Sequence, residues 1–458
     1  MSTNSYFDVS QVDPVWAWEP FQPSADRPWD TRAAAHLFRR AGFSATTDEL
    51  QEAVGSDPIQ VARSIIRQEQ PDSFLNESQS LADSCLATGN AEQLSGWWTW
   101  RMLHSPAQLL EKTTLFWHGH FATSAAKVDD PHLMLRQNEL LRTYAFGEFP
   151  ELVLEISRDP AMLIYLDSVS NRKAHPNENY AREVMELFCL GEGKYTEADI
   201  RELARCFTGW EVKREKFRFN RYQHDTGTKK VLGKSGQFGG EEGVSIVLNR
   251  DDAADFIVSR LIRFFVFDEP QAPAELIAPL ARLFRDSGMQ VQPVIEKIIS
   301  SNLMFSDAAR GRRVRSPVEL AVGLLRAFDG STNVFQLASA MRTLGQGLFY
   351  PPSVKGWDGG RTWINSSTLL GRSNLVRRLL ESEKTRFGRT TPLEYFRSVG
   401  AKSKADIVDL CEDTLFAVRL NDSSRERIVD LMESGKGGDR ALIEGLHALF
   451  TLPEFQLG

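Results

Sequence analysis

In the run TLFWHGHFATS, His118 and His120 are separated by one residue and wrapped in bulky apolar side chains. Imidazole pairs hold metal ions or move protons near neutral pH. On an unbroken helix, residues i and i+2 lie about 200° apart, so the two rings share an ion only if the helix is released between them. Gly119 can release it, because glycine takes unusual dihedrals freely. The competing expectation is bland: His120 as a hydrogen-bonded core residue and His118 paired with Glu111.

Carboxylates cluster downstream. In PNENYAREVMELFCLG, helical spacing puts Glu178, Asn179, Arg182, Glu183 and Glu186 within about 140° of arc. The concrete chemistry is a metal-assisted hydrolase. His118, His120 and Glu183 hold a divalent ion that activates water, Glu178 or Glu186 is the acid/base, and Arg182 steadies a developing anion. As a plain solvated face, the same residues make the i,i+4 pairs Glu178–Arg182 and Arg182–Glu186. Cys189 and Leu190 on this arc imply that its end is covered by protein. In HDTGTK, His224 and Asp225 are further catalytic candidates and Lys229 a binding one, set against a simple turn in which Asp225 bonds Gly227. The stretch GQGLFYPPSVKGWDGGRTWINS offers Tyr350, Trp357 and Trp363 as an aromatic platform for a sugar ring or peptide, with Arg361 and Asn365 as polar partners; the alternative is a loop anchored by its aromatics.

The elements that must position these residues read as mainly α: a multi-helix orthogonal bundle in two packed lobes with one small β-hairpin or long-loop insertion. Residues 1–30 read as an extended Pro/Trp-rich arm whose indoles pack on the body. Residues 31–210 form an N-terminal helical lobe, 211–250 a β-hairpin and Gly-rich loop, and 251–458 a C-terminal helical lobe. Ser105 is the expected N-cap of the histidine helix, with Pro106 at its first position and Gln108 completing a capping box. The carboxylate helix runs from an Asn177 cap to a Gly191 stop, and Thr196 with Asp199 opens the next. Residues 345–366 are too rich in Gly and Pro for a helix.

Composition narrows the function. A net charge of −7 over 458 residues, without a basic stripe, argues against nucleic-acid binding. Four scattered cysteines suggest buried apolar groups in a reducing setting. The start lacks signal-peptide grammar, and no apolar run is long enough to span a bilayer, so the expectation is a cytoplasmic protein, with export by a non-classical route left open. P-loop, dinucleotide, nucleophile-elbow and HExxH signatures are missing.

Together, EKTTLFWHGHFATS, the run DPAMLIYLDSVSNRKAHPNENYAREVMELFCLGEGKYTEADIRELARCFTGW, HDTGTK and PPSVKGWDGGRTWINSSTLLGR resemble the bacterial domain-of-unknown-function family 1800, from about Thr31 to Gly458. The resemblance implies a single helical unit, a bacterial source and a genomic neighbour similar to sulfatases; it supplies no reaction. Relatives usually carry a bulkier polar residue, often Asn, where this chain has Gly119, and many are exported. The alternative to an enzyme is therefore a non-catalytic binding or partner protein for that sulfatase-like neighbour.

Overall fold

Apolar stripes at helical spacing, closed by caps, build 24 α-helices among the described residues, 9–433 and 439–458 of the computed structural model. The only sheets among those residues are two antiparallel hairpins, so the fold is mainly α. Caps sit largely where the side chains dictate. The Asp30 carboxylate accepts from the Ala33 N–H at 2.9 Å, and Thr196–Asp199 and Ser316–Glu319 form complete capping boxes.

Ser105 departs from expectation. It closes the preceding Glu92–His104 helix as a C-cap, and the histidine helix begins at Gln108. The Gln108 amide spans the junction, donating to the Met102 and Ser105 carbonyls that the first helix leaves open. The N-terminal arm is also less extended than expected: Asp13 caps a short Pro14–Trp18 helix. Its indoles do seal onto the body, Trp18 donating to the Leu276 carbonyl at 2.9 Å and Trp29 to that of Ala53 at 3.1 Å. The arm's first eight residues lie outside the described ones.

Within 211–250 the chain forms the hairpins Trp210–Lys213 with Lys216–Phe219 and Lys229–Val231 with Lys234–Gly236. It then turns helical at Gly240–Leu248, where a loop was expected, because Val244, Val247 and Leu248 have a core to pack into.

Apolar side chains gather in two clusters. One includes Phe149, Phe188, Ile257 and Phe265; the other includes Trp98, Leu324, Phe396 and Leu446. The Gln108–His120 helix serves both, giving Leu109, Phe116 and Trp117 to the first and Leu115 to the second. Eleven of its thirteen residues are buried, so its polar groups must find partners inside the protein. Glu111, fully buried, takes ion pairs from Arg101 at 2.9 Å and Arg142 at 3.0 Å. Lys112 pairs with Glu319 at 2.6 Å. The expected His118–Glu111 contact is replaced by these pairs, since two guanidinium groups satisfy a dry carboxylate better than one neutral imidazole.

Candidate ligand pocket at the end of the histidine helix

Burial on all sides decides what the two histidines can be. His118 is 1% exposed, and its Nε2 accepts from the Phe349 N–H at 3.1 Å. That bond leaves the other ring nitrogen to carry the proton, and burial holds the imidazole's pKa down to about 3. Phe349 sits at φ 64°, costly for a bulky residue, and its carbonyl takes the Ala125 N–H at 2.8 Å. His118 therefore pins the start of the loop over residues 345–366.

His120, 2% exposed, bonds through Nε2 to the Phe188 carbonyl at 3.0 Å. A carbonyl only accepts, so Nε2 carries the proton and Nδ1 keeps a lone pair. Nδ1 is buried with no partner among the described residues. Phe188 has a carbonyl to offer because it lies in the last turn of its helical segment, whose carbonyls have no intrahelical partner. Asn179–Glu183 is α-helical, but Val184–Cys189 widens into a π-helical turn that Gly191, at φ 86°, terminates. The side chain of Asn177 does bond the Asn179 N–H, at 2.9 Å. Wider turns of this kind recur at functional sites.

The loop folds back on the histidines through two glycines. Gly356, at φ 75°, lies so close to the Gly119 carbonyl that a Cβ there would be 2.0 Å from the oxygen. This contact lays Trp357 beside His118, with ring centroids 5.6 Å apart. A Cβ on Gly119 would meet only Trp357, at 3.6 Å, so the helix has room for a larger residue there.

Between loop and helix lies a cavity of about 120 Å³, lined among others by His120, Arg260, Arg263, Lys355, Trp357 and Trp363. Arg313 and Glu319 also line it but neutralise each other at 3.0 Å. Arg260 has no carboxylate partner among the described residues; its guanidinium lies 5.5 Å from the centre of the Phe256 ring. Arg263 donates to the Asp358 carbonyl at 2.7 Å. The Trp357 Nε1–H is buried and unpartnered. Among the described residues, the walls thus hold an unpartnered acceptor and an unpartnered donor, both closed off from solvent, and one arginine without a carboxylate partner. Burial and the Arg260 charge both keep His120 neutral.

The other candidates are placed as follows. Arg182 is held by both Glu197 oxygens at 2.8 Å and by Glu178 at 3.4 Å, and Glu186 accepts from the Tyr195 hydroxyl at 2.7 Å. None of these lines the cavity. Half-buried Glu183 has a raised pKa, through burial and Glu186, opposed by Arg182 and by Lys355 from the loop. Cys189 and Leu190 are buried, so the end of this arc is indeed covered.

His224 bonds the Thr208 carbonyl at 2.8 Å, and Asp225 grips Arg205 at 2.7 Å while accepting from the Gly227 N–H at 2.8 Å. Lys229 is buried, its ammonium on the Asp225 and Gly227 carbonyls. That cluster is a closed turn away from the cavity. In the aromatic loop Trp357 and Trp363 line the cavity, whereas Tyr350 lies under Arg342 at 4.0 Å and exposed Arg361 pairs with Glu269 at 3.0 Å. Asn365 caps the Ser366–Glu381 helix by accepting from the Thr368 N–H. Among the described residues, no group of three or more His, Cys, Asp or Glu side chains is arranged to hold a metal ion, and His118, His120 and Glu183 do not converge as one.

Sequence reasoning missed Arg260 and Lys355. A signal existed for Arg260: the residues four positions either side, Phe256 and Phe264, are aromatic, leaving it no i,i+4 carboxylate. Among the described residues, no helix is long and apolar enough to cross a membrane.

Residues 36–457 match the sequence model of the family described as Protein of unknown function (DUF1800). No curated protein and no solved structure matches the chain.

Proposed function

The chain belongs to the DUF1800 family, whose description carries no reaction, and from the cavity we propose that the protein binds, and acts by proton transfer on, a small acidic molecule bearing hydroxyl groups. One observation carries the reading: a buried imidazole with a fixed tautomer and a bare Nδ1 shares a cavity with an arginine that has no counter-charge. A carboxylate or phosphate on the ligand answers Arg260 and Lys355. A ligand hydroxyl donates to His120 Nδ1, and a ligand oxygen accepts from Trp357 Nε1. Trp357 and Trp363 supply the apolar walls that sugar-like rings and carbon chains pack against.

The charge also tunes the base. Unliganded, His120 is a poor proton acceptor because it is dry and faces Arg260. A bound anion screens that arginine and raises the imidazole's basicity when substrate is present. Hydrolysis fits this arrangement, with His120 drawing a proton from water or a hydroxyl. Asp268, Glu319 and Asp358 also line the cavity, but among the described residues no three metal-ligating side chains gather there, so direct base catalysis is the better supported form.

Calorimetric titration with glycerate, gluconate and glucuronate, against glycerol and glucose as neutral controls, tests the reading. At least one acid should bind while the neutral analogues do not, and Arg260→Met should weaken that binding by roughly tenfold or more, the value of one charge-assisted contact. Failure of all three acids to bind, or equal binding by Arg260→Met, removes the proposal.

A further inference from the structure

The chain-wide charge of −7 conceals a local excess of the opposite sign. In the hairpin of Trp210–Lys213 with Lys216–Phe219, residues that face each other across the strands share a side of the ribbon. Trp210, Val212 and Phe217 take one side, and Trp210 is buried against the body. The other side carries Lys213, Lys216 and Arg218 with Glu211, and Glu211 is paired with Arg218.

Arg214 and Glu215 form the tip. Both sit at left-handed φ, 52° and 60°, where a two-residue turn ordinarily takes Asn or Gly. Arg136, from the Pro131–Thr143 helix, donates to the Glu215 carbonyl at 3.1 Å and adds its charge beside the tip. At the other end of the ribbon the Lys173 N–H donates to the Gln223 carbonyl at 2.8 Å, which brings Arg172 and Lys173 to the same end as Arg221. All these cations are exposed, and apart from Arg218 none forms an ion pair among the described residues. Nearby carboxylates are engaged elsewhere: Asp167 holds Lys127 at 2.9 Å, Glu139 holds Arg142 at 2.9 Å, and Glu155 and Glu241 hold Arg158.

Two rings stand among the cations. Phe219 is 49% exposed, its ring edge-on to His224 at 5.3 Å; Tyr222 is 69% exposed, with the Arg221 guanidinium 4.9 Å from its ring centre. Exposed aromatics beside Lys and Arg suit the boundary between water and lipid, where the ring enters the headgroup layer and the cation answers its phosphates.

We propose that this hairpin, with the turns at 172–173 and 220–223, docks the protein on an anionic lipid surface. Shape favours a membrane over a nucleic acid or an acidic protein. Strands of four residues reach only about 13 Å. Among the described residues, these cations project from a narrow ribbon and its turns rather than lining a groove that could track a strand. Lipid headgroups diffuse to meet whatever spacing the cations have, so no matching pocket is required. The remainder of the chain is more acidic than the total, so the same surface repels the other faces and sets one orientation. None of these residues lines the ligand cavity, so the docking stands apart from the proposed catalysis.

Full-length protein would be sedimented with vesicles of phosphatidylcholine alone or mixed with phosphatidylglycerol. Binding to the mixed vesicles only, released by high salt, is expected. Each Lys or Arg near an anionic surface is worth roughly fivefold in partition, so Lys213→Glu/Lys216→Glu should weaken binding by roughly thirtyfold or more. Phe219→Ser/Tyr222→Ser should weaken it too while keeping the salt dependence. All four side chains are exposed, so both variants should melt with the parent. No binding to the mixed vesicles, or binding unchanged in either variant, overturns the proposal. Capture by single-stranded DNA in place of the vesicles overturns it as well and assigns the face to nucleic acid.

Discussion

Take the protein from about pH 7.5 to about pH 5 and compare it with His118→Gln. In an unfolded chain a histidine titrates near 6.5. In the fold His118 is lowered to about 3, and His36 and His120 lie well below their usual value, all chiefly by burial. A lowered folded pKa gives stability that is whole above the unfolded pKa, shrinks as the pH falls below it, and is gone at the folded pKa. At pH 5, roughly 1.5 units below the unfolded value, His118 costs about 2 kcal/mol, and His36 and His120 act in the same direction.

Asp159 opposes this. Burial raises it to about 6, so it returns stability as the pH falls through that value, about 1.4 kcal/mol by pH 5. The parent should therefore lose stability on acidification, since His118 alone outweighs Asp159 and the other two buried histidines add to the loss. In His118→Gln the amide oxygen can accept the Phe349 N–H as Nε2 does, while the titrating ring is gone. Its loss should be smaller by about 2 kcal/mol. Urea unfolding followed by tryptophan fluorescence at several pH values measures both curves. A parent stability flat across this range, or a variant slope identical to the parent's, would refute the placement of His118 as a neutral buried acceptor.

Three further outcomes follow from single contacts. Gly356→Ala puts a methyl group against the Gly119 carbonyl at a left-handed φ; thermal melting should show a loss of about 2–4 kcal/mol as clash adds to backbone strain. Gly119→Ala meets only Trp357 at contact distance and should stabilise by about 0.5–1 kcal/mol in the same assay, the helical preference of alanine over glycine. Asp159→Asn retains an oxygen for the Met162 N–H and the Gln137 amide. The raised carboxyl gives stability below its unfolded pKa that is lost above about 6, so the amide should gain about 1–3 kcal/mol near pH 8 and nothing near pH 4 by denaturant titration.

The helical class was legible along the chain, because apolar spacing and caps act within a few residues. Thr196 with Asp199 and the Gly191 stop needed no tertiary partner to be read. The sequence likewise marked two of the stretches that line the cavity, the end of the histidine helix and the tryptophan loop, but not the Asp251–Phe265 helix that supplies Arg260 and Arg263. It misjudged elements whose state depends on a distant surface. Ser105 could cap either of two adjacent helices, and 240–248 turns helical because a core awaits its valines.

The chemistry depends on long-range packing. Whether His118 and His120 share an ion or part company depends on which backbone groups reach them, a Phe349 N–H from 231 residues away and a Phe188 carbonyl left open at a helix end. Whether an arginine is a surface charge or an unanswered one depends on the carboxylates that packing brings near it. Arg260 looks unexceptional in its own helix, and it acquires meaning from what the fold withholds from it. Spacing along a chain reports periodicity; solvation and pairing are properties of the assembled interior.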